Sequence, residues 1–203
     1  QITESGLTVT ELSSGDDLQN ALTAPPEKRP FAIINTGGEV FYGPRGVTAV
    51  KMLEMIRTYV EEGGIWWETG GYSFYSYAVE EPVVDGPARW IREGTGPSGA
   101  GVLSFRCANH DVDDPARPLL VTATGVIWLG EARTKRISAM TSGVQRGFTD
   151  QTGVLSLVEG GGDPFAAAIR CGGMGWLWRL GGFRPNPAAA KEIVAGVLVH
   201  LAR

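Results

Sequence analysis

The sequence predicts an α/β fold, and three observations in its 203 residues lead to that prediction. Short apolar runs end in glycine pairs, and segments with apolar residues at helical spacing alternate with them. Two strand-like runs near the end of the chain are joined by glycines. Together these features predict a three-layer sandwich with a mainly parallel, flavodoxin-like sheet, helices on both faces and an added antiparallel hairpin.

The chain begins with two short predicted elements. Residues 7–12 place apolar side chains at alternate positions and are predicted as a strand. Residues 16–22 are predicted as a helix that is capped by Ser13 or Ser14 and stopped by the proline pair that follows.

The parallel part of the sheet is predicted from residues 31–36 and 64–68, two apolar runs that are each followed by a glycine pair. Between them, residues 47–62 carry their apolar side chains on one helical stripe. Because a helix between two parallel strands is normally a right-handed crossover, we expect these strands to be neighbours in the centre of the sheet.

The second half of the chain is predicted as an irregular insertion, two strand pairs and a last helix. The insertion covers about residues 78–118 and is predicted to consist of loops and short strands, of which only residues 101–105 have a clear strand pattern. The later elements are strand pairs at 119–124 with 126–129 and at 165–170 with 176–180, and a helix at 187–202. Since no repeat or long linker divides the chain, residues 1–203 are predicted as a single domain.

Composition excludes several classes of function. The formal net charge is −4 and basic residues are scattered, so nucleic acid and anionic lipid are not expected partners. No apolar run approaches the roughly 20 residues that cross a bilayer, so no membrane association is expected. Two cysteines, Cys107 and Cys171, are too few for a paired-cysteine metal site, and a disulfide between them stays open.

Neither a cofactor nor a metal is expected. The glycine run at residues 160–162 is followed by no lysine or helix that would make it a phosphate loop. Residues 110–114 combine one histidine with acidic side chains but match no complete metal-binding loop, and such stretches are usually turns. No compartment is indicated, and secreted or periplasmic locations stay open.

Residues 59–64, the strand that follows and residues 68–72 resemble the nucleophile-elbow segment of the class I glutamine amidotransferase-like superfamily. Among the relatives that it resembles are biotin-protein-ligase N-terminal-like, ThuA-like and β-galactosidase trimerisation-type domains. In catalytic members the elbow is Gly-x-Cys-x-Gly, on a strained turn between strand and helix. In this sequence Trp66 replaces the first glycine, Glu68 replaces the cysteine and Gly70 is kept.

The resemblance implies a site at this elbow. Without the cysteine, glutaminase activity is not expected, because that reaction needs a thiolate. Glu68 is the candidate catalytic residue, expected at the strand-to-helix turn and facing the amides of a glycine loop like the oxyanion loop of the enzymes. The candidate ligand-binding residues lie in the two loops: Gly37, Gly38, Glu39, Thr69, Gly70 and Tyr72.

Three functions follow as hypotheses. The first is a non-catalytic module that binds a small ligand or carbohydrate, or that serves assembly with a second copy or within a longer parent chain. The second is a hydrolase of altered chemistry that uses Glu68, and the third is a thiol protein that uses Cys107 or Cys171. Alternatively, Glu68 accepts structural hydrogen bonds from backbone amides. Aromatic residues near the elbow either line a sugar-binding rim or pack in the core: Tyr72, Phe74, Tyr75 and Tyr77.

Overall fold

A computed structural model describes residues 6–71, 73–81, 89–94, 116–144, 153–170, 174–182 and 185–202. The helices in these ranges are α1 (Gly15–Thr23), α2 (Ala49–Glu61), α3 (Ala123–Leu129), α4 (Glu131–Ser138) and α5 (Pro187–Leu201). The first strands are β1 (Ala32–Asn35), β2 (Val40–Gly43), β3 (Ile65–Thr69), β4 (Ser76–Glu81) and β5 (Arg89–Gly94). The later strands are β6 (Ala116–Val121), β7 (Thr141–Gly143), β8 (Leu155–Gly160), β9 (Asp163–Arg170) and β10 (Trp176–Leu180).

Seven strands form one sheet in the order β1-β3-β10-β9-β8-β6-β7. β1, β3 and β10 are parallel to one another, and every later pair in that order is antiparallel. The predicted α/β sandwich is confirmed, and the predicted pairing of β1 with β3 is also confirmed. The sheet is mixed, however, and β1 lies at its edge rather than at its centre, because the antiparallel strands extend the sheet on the far side of β10.

β2, β4 and β5 form a second, smaller sheet, with β2 parallel to β4 and β4 antiparallel to β5. β4 and β5 overlap the segment at about 78–118 that was predicted as an insertion of loops and short strands, and its description as an insertion stays a prediction. The signal was weak because β4 and β5 contain several charged residues, and their pairing with each other holds them in the sheet. The predicted strand at 101–105 lies outside the described residues.

Helices cover both faces of the larger sheet, as predicted. Strand residues alternate between the faces, so Trp66 packs on the side of α1 and α2 while Trp67 packs on the side of α3, α4 and α5. On the first face α2 buries Met52 and Ile56 completely, and each such side chain contributes roughly 1.5–3 kcal/mol of hydrophobic free energy.

Side-chain caps explain where three helices begin. The Ser14 hydroxyl accepts from the Asp17 amide while the Asp17 carboxylate accepts from the Ser14 amide, a capping box that confirms one of the two predicted caps of α1. The Thr48 hydroxyl caps α2 by accepting from the Lys51 amide. Asn186 caps α5, whose first residue is a proline, and this confirms the predicted last helix.

Two predicted elements are wrong. Residues 7–12 form no strand. Residues 123–129, predicted as part of a strand pair turning at Gly125, form helix α3, because the Thr122 hydroxyl caps the Gly125 amide and starts a helical turn. Gly125 is required for close packing rather than for a hairpin, since a Cβ there would lie 2.1 Å from the Leu157 carbonyl oxygen. No helix in the described residues is long and apolar enough to span a membrane.

Candidate functional site

A row of buried polar side chains crosses the three parallel strands near their carboxyl ends. Asn35 of β1, Glu68 of β3 and Arg179 of β10 are in register with one another. Their exposed fractions are 7%, 0% and 2%. Because buried polar and charged groups are costly unless they are hydrogen-bonded, the contacts of this row carry information about its role.

The Glu68 carboxyl group is surrounded by hydrogen-bond donors. The Asn35 amide nitrogen lies 3.2 Å from each carboxyl oxygen, and the Trp66 indole N–H also donates to Glu68. Burial raises the pKa of Glu68 from 4.5 to about 8, while the hydrogen bonds from Trp66 and Asn35 and the charge of Arg179 act in the opposite direction. The Glu68 carboxyl group therefore keeps its proton to a higher pH than an exposed glutamate does.

The turn after β3 completes the surroundings of Glu68. The Phe74 backbone amide donates to Glu68, and Phe74 has a φ of +57°, which is uncommon for a residue other than glycine. The Arg179 guanidinium donates to the Ser73 hydroxyl at 2.7 Å. The side chains of the row are thus tied to both neighbouring strands and to this turn.

Asn35 also organises the loop between β1 and β2. Its side-chain oxygen accepts from the Gly37 amide at 3.0 Å, and its side-chain nitrogen donates to the Val40 carbonyl at 3.0 Å. The Gly37 amide therefore donates to Asn35, and the backbone amide that reaches Glu68 is that of Phe74. The resemblance implied that the Gly37 amide would face Glu68 as an oxyanion donor. This amide donates to Asn35 instead.

The expected position of Glu68 at a strand-to-helix turn is wrong. Glu68 lies inside β3, and in the described residues β3 leads through Gly70 and Gly71 to β4 rather than to a helix. Gly70 has a φ of +111°, and a Cβ there would lie 2.8 Å from Pro185 Cδ. The backbone conformation and the close packing explain why glycine is required at this position.

The other predicted ligand-binding residues make contacts within the protein. The Thr69 hydroxyl donates to the Asn35 carbonyl at 2.7 Å, and Glu39 forms an ion pair with Arg92. Gly38 has a φ of +64°, which favours glycine. Tyr72 lies outside the described residues. Ligand binding by any of these residues stays a prediction.

The aromatic residues near the elbow have separate roles. Phe74 and Tyr77 are fully buried and pack with Phe41, so they belong to the core and not to a sugar-binding rim. Tyr75 is 40% exposed.

A cleft of about 310 Å³ opens beside the polar row. Asn35 and Trp66, both hydrogen-bonded to Glu68, contribute to its wall, whereas Glu68 itself lies behind them. Around the cleft are the segment before α1, the carboxyl end of β1 and one face of the smaller sheet: Glu11, Leu12, Ser13, Ser14, Leu18, Ile33, Ile34, Asn35, Thr36, Tyr42, Trp66 and Trp90.

Tyr42 and Trp90 form the aromatic side of the cleft. Their rings meet edge to face with centroids 4.8 Å apart, and Trp90 is 39% exposed. Neither residue was predicted from the sequence, because Trp90 falls in the segment predicted as irregular and Tyr42 falls in a stretch without a predicted element. A tryptophan and an isoleucine in sequence between charged residues were the available signal for a strand there.

No group of three histidine, cysteine, aspartate or glutamate side chains in the described part of the chain could hold a metal ion. The acidic stretch at 110–114 and both cysteines lie outside that part.

No protein-family model matches the chain, and no curated protein matches it. Solved structures with some similarity include β-galactosidases from a Rahnella species and from Bacillus circulans, each 15% identical over 89% of this chain, with TM-scores of 0.46 and 0.48. The chain spans 23% of the length of each of these structures. A cytoplasmic protein from Salmonella typhimurium is 14% identical over 91% of this chain and 77% of its own, with a TM-score of 0.44. Similarity at this level assigns no function to this chain, and the amidotransferase-like family stays a prediction.

Proposed function

We propose that this domain binds a small polar ligand in the cleft beside β1, and that a neutral carbohydrate of one or two sugar units fits it best. The observation that carries the proposal is the lining of the cleft, which combines an aromatic pair with hydroxyl and carboxylate side chains. A volume of about 310 Å³ is at the lower end of the range for small-molecule sites.

The aromatic side of the cleft supports a sugar. Sugars present patches of C–H groups that pack against aromatic rings, and Tyr42 and Trp90 offer such a surface, since Trp90 is partly exposed. Both side chains project from the same face of the smaller sheet, since Tyr42 is in register with Arg92, two residues from Trp90. The platform is therefore held by paired strands rather than by a loop.

The polar side of the cleft supports a ligand with hydroxyl groups. Ser13, Ser14 and Thr36 carry hydroxyl groups, and Glu11 carries a carboxylate. No lysine or arginine belongs to the described lining. Arg92 projects from the same face as Trp90 but pairs with Glu39, so its charge is already balanced. This charge distribution favours a neutral ligand over a phosphorylated or acidic sugar.

Hydrolysis with Glu68 as general acid is the second candidate. Its specific support is the raised pKa, which keeps a proton on the carboxyl group at neutral pH. A general acid must come within about 2.6–3.2 Å of the atom that it protonates. Glu68 lies behind Asn35 and Trp66 and does not line the cleft, so the geometry supports binding over hydrolysis.

Isothermal titration of the purified protein with glucose, galactose, mannose and their disaccharides tests the proposal. We expect at least one neutral sugar to bind, and glucose 6-phosphate and glucuronate to bind more weakly. Trp90→Ala should weaken binding by about tenfold or more, because it removes an aromatic contact surface. Phe31→Ala is the matched control, since Phe31 is 44% exposed at the opposite end of β1 and outside the cleft.

Two results would contradict binding in the cleft: no heat with any neutral sugar, or equal affinity of the Trp90→Ala variant. Release of reducing sugar from a disaccharide, lost in Glu68→Gln, would favour the hydrolase instead.

A further inference from the structure

We infer that Glu68 is a positioning residue that holds Asn35 and Trp66 in the wall of the cleft, so that loss of its proton weakens ligand binding. This inference rests on the proposed function and adds to it a residue that does not touch the ligand.

The contacts of Glu68 support this role. The side chain is completely buried, and two of its hydrogen-bond donors are side chains of the cleft wall. Asn35 transmits the arrangement further, because the same amide group binds the Val40 carbonyl and the Gly37 amide on the way to β2. A change at Glu68 therefore reaches the wall through hydrogen bonds at both Asn35 and Trp66.

The turn behind Glu68 is held in a conformation that serves this contact. Phe74 has a positive φ, and its amide is directed to Glu68 while its ring packs on Phe41 and Trp66. An uncommon backbone conformation at a residue other than glycine persists only where its surroundings hold it. Here those surroundings are the core on one side and the Glu68 carboxyl group on the other.

The charged group that acts on Glu68 from the neighbouring strands is Arg179 on β10. The side chain from β1 is the neutral Asn35, and from the turn come Ser73, bound to Arg179, and the Phe74 amide. In the cleft itself Glu11 and Tyr42 are the other titratable side chains. A variant that changes Glu68 alone therefore separates its effect from theirs.

Ionisation of Glu68 places a negative charge in a site without contact to water. Burial raises the pKa of Glu68 to about 8, so this charge forms in the weakly alkaline range. A buried carboxylate gains from hydration, and Asn35 and Trp66 are the two side-chain donors to Glu68 that also line the cleft. We therefore expect the wall to open, and ligand affinity to fall, as the pH rises through this range.

Nuclear magnetic resonance of the ligand-free protein provides the first test. The Trp66 indole and Asn35 side-chain amide signals are followed from pH 6 to 9.5 in the wild type and in Glu68→Gln, which approximates the protonated acid in shape. We expect both signals to shift with one common midpoint in the wild type and to lose that step in the variant. Glu54→Gln is the control, because Glu54 is exposed on α2 and pairs with Lys51.

Titration with glucose, galactose and mannose at pH 6.5 and 9.5 provides the second test. We expect wild-type affinity to fall by about fivefold or more, and Glu68→Gln to bind equally at both pH values. Signals that do not titrate, or a Glu68→Gln variant that keeps the full pH dependence, would overturn the inference. If no sugar binds at either pH, the proposed function fails, and the resonance titration alone decides whether Glu68 positions the two side chains. If Glu68→Gln does not fold, the resonance titration of the wild type alone decides whether Glu68 positions the two side chains.

Discussion

Trp66 and Trp67 are adjacent in sequence but belong to opposite faces of the sheet. On the first face the Trp66 indole N–H donates to Glu68, beside the buried row of polar side chains. On the second face Trp67 stacks on Trp178 with centroids 4.9 Å apart and planes 18° from parallel. Its indole N–H has no hydrogen-bond partner in the described residues. Both tryptophans pack against aromatic rings, but only Trp66 also makes a hydrogen bond to the polar row.

Burial alone therefore does not identify a functional residue. Both tryptophans are essentially inaccessible to solvent. Only Trp66 connects the core to a cleft, because it contacts both Glu68 and the cleft wall. We expect changes on the second face to affect stability alone, and changes on the first face to affect pH dependence and binding as well.

The largest expected effect is on the second face. Trp67→Ala should lower the free energy of unfolding by about 3–5 kcal/mol, because it leaves a cavity beside Trp178. Trp67→Phe should cost less, since an aromatic ring remains and no described hydrogen bond is lost. Urea unfolding followed by circular dichroism measures both. Equal losses for the two variants would show that the indole N–H has a partner that matters.

The next prediction concerns the first face, where the free energy of unfolding should depend on pH through Glu68. The pKa of Glu68 is raised from 4.5 to about 8 in the folded state, so the folded protein keeps a proton that the unfolded chain releases. The stabilisation that this retained proton provides is complete below pH 4.5. It is lost as the pH rises from there through 8, and the free energy of unfolding falls by up to about 1.4 kcal/mol per pH unit. Urea unfolding at intervals from pH 5 to 9 measures this slope. The same slope in Glu68→Gln would assign it to another group.

A smaller effect is expected where α1 covers the first face. Ser14→Ala removes half of the capping box and should cost about 1 kcal/mol. Because the Ser14 side chain also lines the cleft, this variant should in addition weaken sugar binding. Thermal unfolding and isothermal titration measure the two effects. The control is Thr48→Ala, which removes a helix cap outside the cleft and should leave affinity unchanged.

The smallest effect is expected on the outer side of α3. Ile127 is 73% exposed, whereas its neighbour Trp128 packs against Trp178 on the second face. Ile127→Ser should change the free energy of unfolding by no more than about 0.5 kcal/mol. A larger loss in urea unfolding would reveal a covering contact for this part of the second face.

The elements that sequence predicted correctly have local signals. α2 and α5 combine a helical stripe with a cap, and β1 and β3 are continuous apolar runs before glycines. β4 and β5 could not be predicted in this way, because charged residues interrupt the alternation of apolar and polar side chains. The pairing of the two strands with each other holds these residues in the sheet. α3 was missed because the role of Gly125 depends on Leu157, which lies far along the chain.

The candidate site could be predicted only in part. Sequence singled out Glu68, but the resemblance to an elbow placed it on a turn, whereas it lies inside a strand. Its environment depends on Asn35, 33 residues away, and on Arg179, more than a hundred residues away. The cleft itself combines residues from the segment before α1, β1, β2, β3 and β5, and no sequence spacing predicts such a combination.

The position of β10 has a consequence for the order in which the molecule folds. β10 pairs with β9 across a short connection, but with β3 across more than a hundred residues of chain. Closing the longer loop costs more entropy, so the β9–β10 hairpin can form locally while the contact with β3 forms only after distant parts meet. During synthesis Arg179 also leaves the ribosome long after Glu68. The polar row is therefore completed late, and a chain truncated before β10 would lack one of its three members even if the first two strands had paired.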